Sequence, residues 1–330
     1  MINWYRLDPL DTLFCKSAGP MVMGENHAAQ SIFPPPSETF SGAFRTAVLK
    51  QNSIDIKNYV NNKAEIKPEI LDFVGNADGK PGFEIAGIIF IKDSDIFVPA
   101  PYSWFSEKSD LLKSKISIER GYEKNVQIFR SEKISSYLVK TSSGNKFYSA
   151  RGTKGELTTI GGYWVNLNDI YAEKEKMNVY SPDYFYTGEI RTGIALSGKS
   201  RAVRQSHLYS FTHARLKNGC SIAAGISYDK DPVLDNSGTV KVGGEQRLCR
   251  YDKIEPDIKT DSAGKGKFSS LCPLNSKIAL SDNLISTGKI IYSGGWDLKK
   301  GFHKPMQSFY PAGSVFYENI NSNLIKIEEN

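Results

Sequence analysis

The sequence predicts an α+β fold of two antiparallel sheets, each covered by helices on one face. Three observations carry that prediction. Short apolar and alternating runs recur along the chain, helical periodicity is confined to a few segments, and 330 residues suit two medium domains better than one small module. The boundary is expected near residue 178, giving an N-terminal domain over 1–178 and a C-terminal domain over 179–330.

Ile2 to Leu7 reads as an opening strand, and Phe33-Pro34-Pro35-Pro36 excludes regular structure where it stands. Ser37 then occupies an N-cap position and Glu38 the first turn. Phe40, Ala43, Phe44, Ala47 and Val48 recur at helical spacing, which predicts a helix over roughly 38–50. Gln51 to Pro68 has no period and reads as an irregular excursion. Phe83 to Ile91 and Ile96 to Val98, separated by Lys92-Asp93-Ser94-Asp95, predict a hairpin in a covered sheet. Ser106 to Gly161 is polar and basic and reads as a solvated insertion or a projecting element over a ligand; Trp164 to Lys176 predicts a short helix. Beyond it, Tyr184 to Leu196, Ser206 to Leu216, Cys220 to Tyr228, Gly238 to Val242, Gly243 to Tyr251, Lys277 to Leu280 and Gly288 to Ser293 predict strands.

Composition bounds the function. With 40% hydrophobic, 12% aromatic and 24% charged residues the chain is an ordinary globular protein, and a net charge of +6 with pI near 8.9 favours an anionic partner. No stretch approaches the roughly 20 apolar residues that cross a bilayer, and the first residues lack a secretory pattern, so a cytoplasmic protein without a membrane partner is expected. Cys15, Cys220, Cys249 and Cys272 are far apart without metal-ligand spacing and read as buried or incidental thiols. No cofactor or metal is expected. His27, His207, His213 and His303 have no neighbouring motif that pairs them with a nucleophile, although RNA cleavage by acid–base histidines needs only one or two. Asp8, Asp11 and Glu25 are accounted for by solvation at the surface.

Two segments carry the functional signal. Gly294-Gly295-Trp296-Asp297-Leu298-Lys299-Lys300-Gly301-Phe302-His303-Lys304-Pro305 joins glycines to lysines and flat rings, a combination suited to RNA phosphates and bases. Gly243-Gly244-Glu245-Gln246-Arg247 permits a backbone nest whose N–H groups face a phosphate, with Arg247 beside it; the same glycine pair also fits a β-bulge or tight turn. Along Ser206 to Leu216, strand alternation puts His207, Tyr209, Phe211, His213 and Arg215 on one face, readable as a base-stacking surface or as core. The preceding loop adds Lys199, Arg201 and Arg204. Tyr102, Trp104 and Phe105 are candidates either for an exposed protein-binding surface or for loop-anchoring core.

In order and spacing, several segments resemble the RAMP superfamily of CRISPR systems, and within it the subunit that caps the foot of type III-B (Cmr) effector complexes. The resemblance rests on Asp8 to Phe14, Phe33 to Ala47, Arg191 to Leu196, Gly243 to Arg247, Trp296 to Pro305 and Pro311-Ala312-Gly313-Ser314-Val315. It implies two ferredoxin-like, RRM-related domains and a non-catalytic role, gripping the 5′ tag of the crRNA while docking on the large polymerase/cyclase-like subunit and the adjacent backbone subunit. The candidate RNA-binding residues are Arg45, Lys199, Arg201, Arg204, Gly243, Gly244, Gln246, Arg247, Trp296, Lys299, Lys300 and Lys304. Gln246 stands where the family commonly has another glycine, and His303 where a proline is common. The rivals are a precursor-processing endoribonuclease of the same superfamily, using His27, His207 or His213, and a purely structural assembly subunit.

Overall fold

The computed structural model describes residues 2–16, 28–112, 123–133, 148–150, 155–196, 203–260, 266–278, 285–294, 296–297, 300, 302–321 and 323–328. Its architecture is α+β, with antiparallel sheets dominating and few helices, the class the sequence predicts. The residues group into two compact units, one from 1–85, 186–254 and 292–307, the other from 86–185, 255–291 and 308–330. The single boundary expected near residue 178 differs from this grouping. The physical reason is pairing over long sequence separation: the opening strand Ile2–Pro9 lies between Cys220–Ser227 and Leu248–Ile254, so the start of the chain shares a sheet with its second half.

In the first unit the strands run in the order Ser237–Lys241, Leu248–Ile254, Ile2–Pro9 and Cys220–Ser227, all antiparallel. Helix Ser37–Gln51 covers this sheet through Phe40, Ala43, Phe44, Ala47, Val48 and Leu49, and the Phe44 ring lies 5.6 Å from Tyr5. Its N-cap is Pro36 rather than Ser37, and Ser37 opens the helix without a side-chain cap. The excursion after it contains two short helices, Ile56–Val60, capped by the Asp55 side chain, and Pro68–Val74. A second sheet is the long hairpin of Tyr186–Leu196 and Val203–Leu216, with Ala28–Gln30 parallel to its inner strand.

In the second unit Glu84–Lys92 and Asp95–Pro99 form the predicted hairpin, with Asp93 at φ +58° in its two-residue turn. Trp164–Asn166, Lys176–Tyr180 and Glu123–Gln127 extend that sheet. The helix expected over Trp164 to Lys176 is shorter, Leu167–Tyr171, because Trp164 and Val165 belong to a strand buried on both faces, where no alternation marks it in the sequence. Part of the expected insertion is likewise sheet, since Glu123–Gln127 pairs with Lys176–Tyr180. Phe90, Phe97, Trp164 and Phe185 pack as one aromatic core, Phe90 and Phe185 stacked at 4.4 Å.

Trp104 is fully buried and donates from its indole to Glu328, so it is core and not an exposed docking residue. Gly313, at φ +87°, donates to Ser270 O and accepts from Tyr102 N; a Cβ there would stand 2.4 Å from Ala100 O. The Pro311 to Val315 segment is therefore a packed turn inside the second unit. The four cysteines are buried and free, and burial pushes the Cys15 and Cys249 thiols up to about 12.

Candidate nucleic-acid interface

The site is built in the first unit where three segments meet. On the long hairpin, the register pairs Glu189 with His213, Arg191 with Phe211 and Gly193 with Tyr209, so alternation puts all six on one face. At Gly193 a Cβ would stand 2.4 Å from the end of the Tyr209 ring, so a side chain there would displace that ring. The segment after the first strand runs along the edge of this hairpin: Leu13 and Ala214 exchange backbone hydrogen bonds at 2.8 and 2.9 Å as an antiparallel bridge. Phe14 thereby stacks on Phe211, 5.0 Å away with planes 15° apart, and on His213 at 5.0 Å. Tyr209 continues the row 4.8 Å from Phe211.

The glycine loop closes the other side. Gly244 N donates to Phe14 O at 2.7 Å, and Gly243, at φ +75°, leaves no room for a side chain, since its Cβ would lie 2.4 Å from the same oxygen. Glu245 and Gln246 are also left-handed, at φ 53° and 55°, a conformation that disfavours an L-residue by about 1–2 kcal/mol. Side chains brace it: Lys241 donates to Gln246 Oε1 at 2.8 Å and Arg247 to Glu245 at 2.8 Å.

Charge converges between these segments. Arg191, Arg215 and Arg247 all donate to the Asp11 carboxylate, at 2.9, 2.8 and 3.0 Å. Glu189 bridges Arg191 and Arg215, and Glu245 pairs with Arg247 and lies 3.3 Å from His213 Nε2 without a hydrogen bond to it. Desolvation opposes ionisation of Asp11, yet the guanidinium hydrogen bonds hold its carboxyl below the usual carboxylate range. Glu189 is drawn to about 2 by hydrogen bonds from Arg215 and then Arg191. His213 moves the other way from a charged base: burial lowers its pKa although Glu245 opposes, and Thr12 Oγ1 lies 3.0 Å from Nδ1. The Asp11 and Arg215 side chains remain 42% and 41% exposed, so the cluster is open to solvent.

Of the residues expected from sequence, Gly243, Gly244, Gln246 and Arg247 come together here. Arg45 is held elsewhere, donating to Tyr59 Oη and Asn76 O at 2.7 Å each and to Gly79 O at 3.4 Å, which ties helix Ser37–Gln51 to the excursion after it. Trp296 lies in a short hairpin, Trp296–Asp297 against Phe302–His303, on which Lys300, Phe302 and Lys304 are exposed. Arg204 lies on the strand Val203–Leu216, and Lys199, Arg201 and Lys299 fall outside the described residues. Sequence reasoning missed Asp11, Glu189 and Arg191 as site residues. The available signal was the i, i+2 spacing of Glu189 and Arg191 on a predicted strand, which gains meaning only once the hairpin register sets it against His213 and Arg215.

The family model for CRISPR-associated protein (Cas_Cmr3) matches residues 5–271, a span that contains the whole arginine cluster and its glycine loop. The chain belongs to this family. A Cmr3-family fold also agrees with solved structures. A chain of the cryo-EM structure of the type III-B Cmr-beta bound to cognate target RNA and AMPPnP, state 1, is similar with TM-score 0.53 and 16% identity, covering 95% of this chain and 85% of that one. A chain of the Cmr-beta structure bound to cognate target RNA gives TM-score 0.53 and 17% identity over 95% and 86%. No curated protein matches this Cmr3-family chain in sequence. Family and fold together support a type III CRISPR effector subunit. Among the described residues no helix is long and apolar enough to cross a membrane, and no group of three or more His, Cys, Asp or Glu is placed to hold a metal ion.

Proposed function

We propose that the chain is a non-catalytic crRNA-binding subunit of a type III-B CRISPR effector, gripping the 5′ tag of the guide RNA and docking on the large polymerase/cyclase-like subunit and the adjacent backbone subunit in antiviral defence. The observation that carries this reading is the partly exposed face on which three arginines and a strained glycine loop adjoin the part-exposed rings of Phe211 and Tyr209. Guanidiniums and backbone N–H groups meet phosphates, and flat rings receive splayed bases at about 1–3 kcal/mol per base, the division of labour that single-stranded RNA requires. The similar chains come from complexes bound to target RNA, which fits a place beside nucleic acid.

Of the histidines that the endoribonuclease alternative would use, His213 is disfavoured, while His27 and the His207 side chain fall outside the described residues. His213 is 1% exposed, stacked under Phe14 and biased toward the neutral form by burial, so a substrate hydroxyl has no path to its nitrogens. The test is binding of the purified chain to a single strand carrying the repeat-derived 5′ tag against a scrambled strand, across salt, with the recovered RNA checked for length. Selective, salt-sensitive binding of intact RNA is expected. Shortened RNA would replace this reading with the endoribonuclease, and salt-insensitive assembly with partner subunits without RNA affinity would replace it with the assembly subunit.

A further inference from the structure

We infer that Asp11 is a built-in competitor for RNA phosphate: its carboxylate holds Arg191, Arg215 and Arg247 in an anion-binding arrangement until a phosphodiester takes its place. The inference rests on the RNA-binding reading above and adds to it what the site holds before RNA arrives.

Three guanidiniums from three separate stretches of chain aim at one point, and like charges so placed repel unless an anion lies between them. Asp11 supplies that anion. A carboxylate and a phosphodiester both offer two acceptor oxygens to a guanidinium fork, so each fits the same arrangement. Charge decides what the site does in each state. Three arginines stand against Asp11, Glu189 and Glu245, so the closed cluster carries no net charge with His213 neutral and has little pull on a phosphate. Release of Asp11 leaves the arginines in excess.

Release is mechanically simple. The backbone beyond Asp11 is fixed by Leu13 to Ala214 and by Phe14 to Gly244, so only the Asp11 side chain has to rotate outward, and it is already 42% exposed. The part-exposed rings of Phe211 and Tyr209 lie on the same face as Arg191 and are the surface left to receive a base, with Phe14 buried behind Phe211.

The experiment measures binding of an oligouridine, which has no base titrating in the acid range, by the parent chain, Asp11→Asn and Glu189→Gln across salt. Removing either carboxylate should tighten binding about threefold and steepen the salt dependence by about 0.7 in log–log slope, the contribution of one phosphate contact on a single strand. Calorimetry of the parent chain at pH 5 in two buffers of different ionisation enthalpy supplies a measure that no variant has to fold for. Carboxylates freed from Arg191, Arg215 and Arg247 take up protons more readily, so proton uptake on binding is expected, with Glu245 and His213 the other titrating neighbours. Binding by the parent with no gain in the folded variants, or with no proton uptake, overturns the inference and leaves the RNA reading standing. Absence of binding by parent and variants alike removes the RNA reading and this inference with it.

Discussion

Two ionic clusters of this protein do opposite work. In the first unit, Arg191, Arg215 and Arg247 meet Asp11 at a partly exposed site, where the side chains range from 20% exposed for Arg247 to 42% for Asp11. In the second, Lys267 and Glu328 are 7% and 11% exposed; Lys267 also donates to Ser131 O at 2.5 Å, and Glu328 accepts from the Trp104 indole. Arg130 lies over the Trp104 ring at 4.9 Å and completes the shell. Buried charges whose neighbours are fully committed lock the strand Ile325–Glu328 into its sheet, and removing one partner strands the other in low dielectric. Exposed pairs are individually weak, which is what lets a ligand exchange with them. Burial, more than the identity of the charges, separates the structural lock from the proposed binding site.

The largest effect tests the lock. Lys267→Met takes the nearer cation from buried Glu328, leaving it the Trp104 indole and Arg130 at 3.8 Å, and should lower stability by about 3–5 kcal/mol in urea unfolding, with oligouridine affinity unchanged in the protein that remains folded. A loss below about 1 kcal/mol would show that the buried pair is dispensable and blunt the contrast.

Gly243→Ala comes next. It forces a Cβ into contact with Phe14 O at φ +75°, and a destabilisation of about 2 kcal/mol or more is expected, with loss of RNA binding because the loop and the Phe14 segment separate. Thermal melting and oligouridine titration check the two parts together.

The exposed cluster should also reveal itself in acid. Glu189 titrates near 2 in the folded chain and in the ordinary carboxylate range when unfolded, so its stabilisation is complete above about 4.5 and is lost as pH falls toward 2. His213, depressed by burial, adds a loss that begins below its ordinary value of 6.5, because the unfolded chain takes the proton first. Melting temperatures of the parent and Glu189→Gln between pH 7 and pH 3 should converge as pH drops; parallel curves would mean that Glu189 is not held by Arg191 and Arg215.

Smaller still, Arg247→Ala should lower the salt slope for RNA by less than one phosphate equivalent, because Asp11 and Glu245 already neutralise it, whereas Lys300→Ala tests a lysine on the separate Trp296 hairpin. The smallest expected change is Gln246→Gly, which relieves a left-handed φ at the expense of chain entropy and should raise stability by about 1 kcal/mol or less.

Much of this protein is readable in its residues. The helix around Phe40 to Val48, the hairpin turning at Asp93-Ser94 and the glycine loop at 243–247 depend on near neighbours, so spacing and turn chemistry reveal them. The resemblance that places the chain in its family rests on such local segments too. What sequence could not supply is partnership across distance. Asp11 reads as a solvated acid until the fold brings Arg191, Arg215 and Arg247 to it from 180 to 236 residues away. Arg45 reads as a free cation until Tyr59, Asn76 and Gly79 are seen to hold it, and Trp104 as a surface aromatic until Glu328 reaches its indole. Local physics fixes which backbone shapes each stretch can take, and strand pairing over hundreds of residues decides which charges are neutralised, which are buried and which stay open to a ligand.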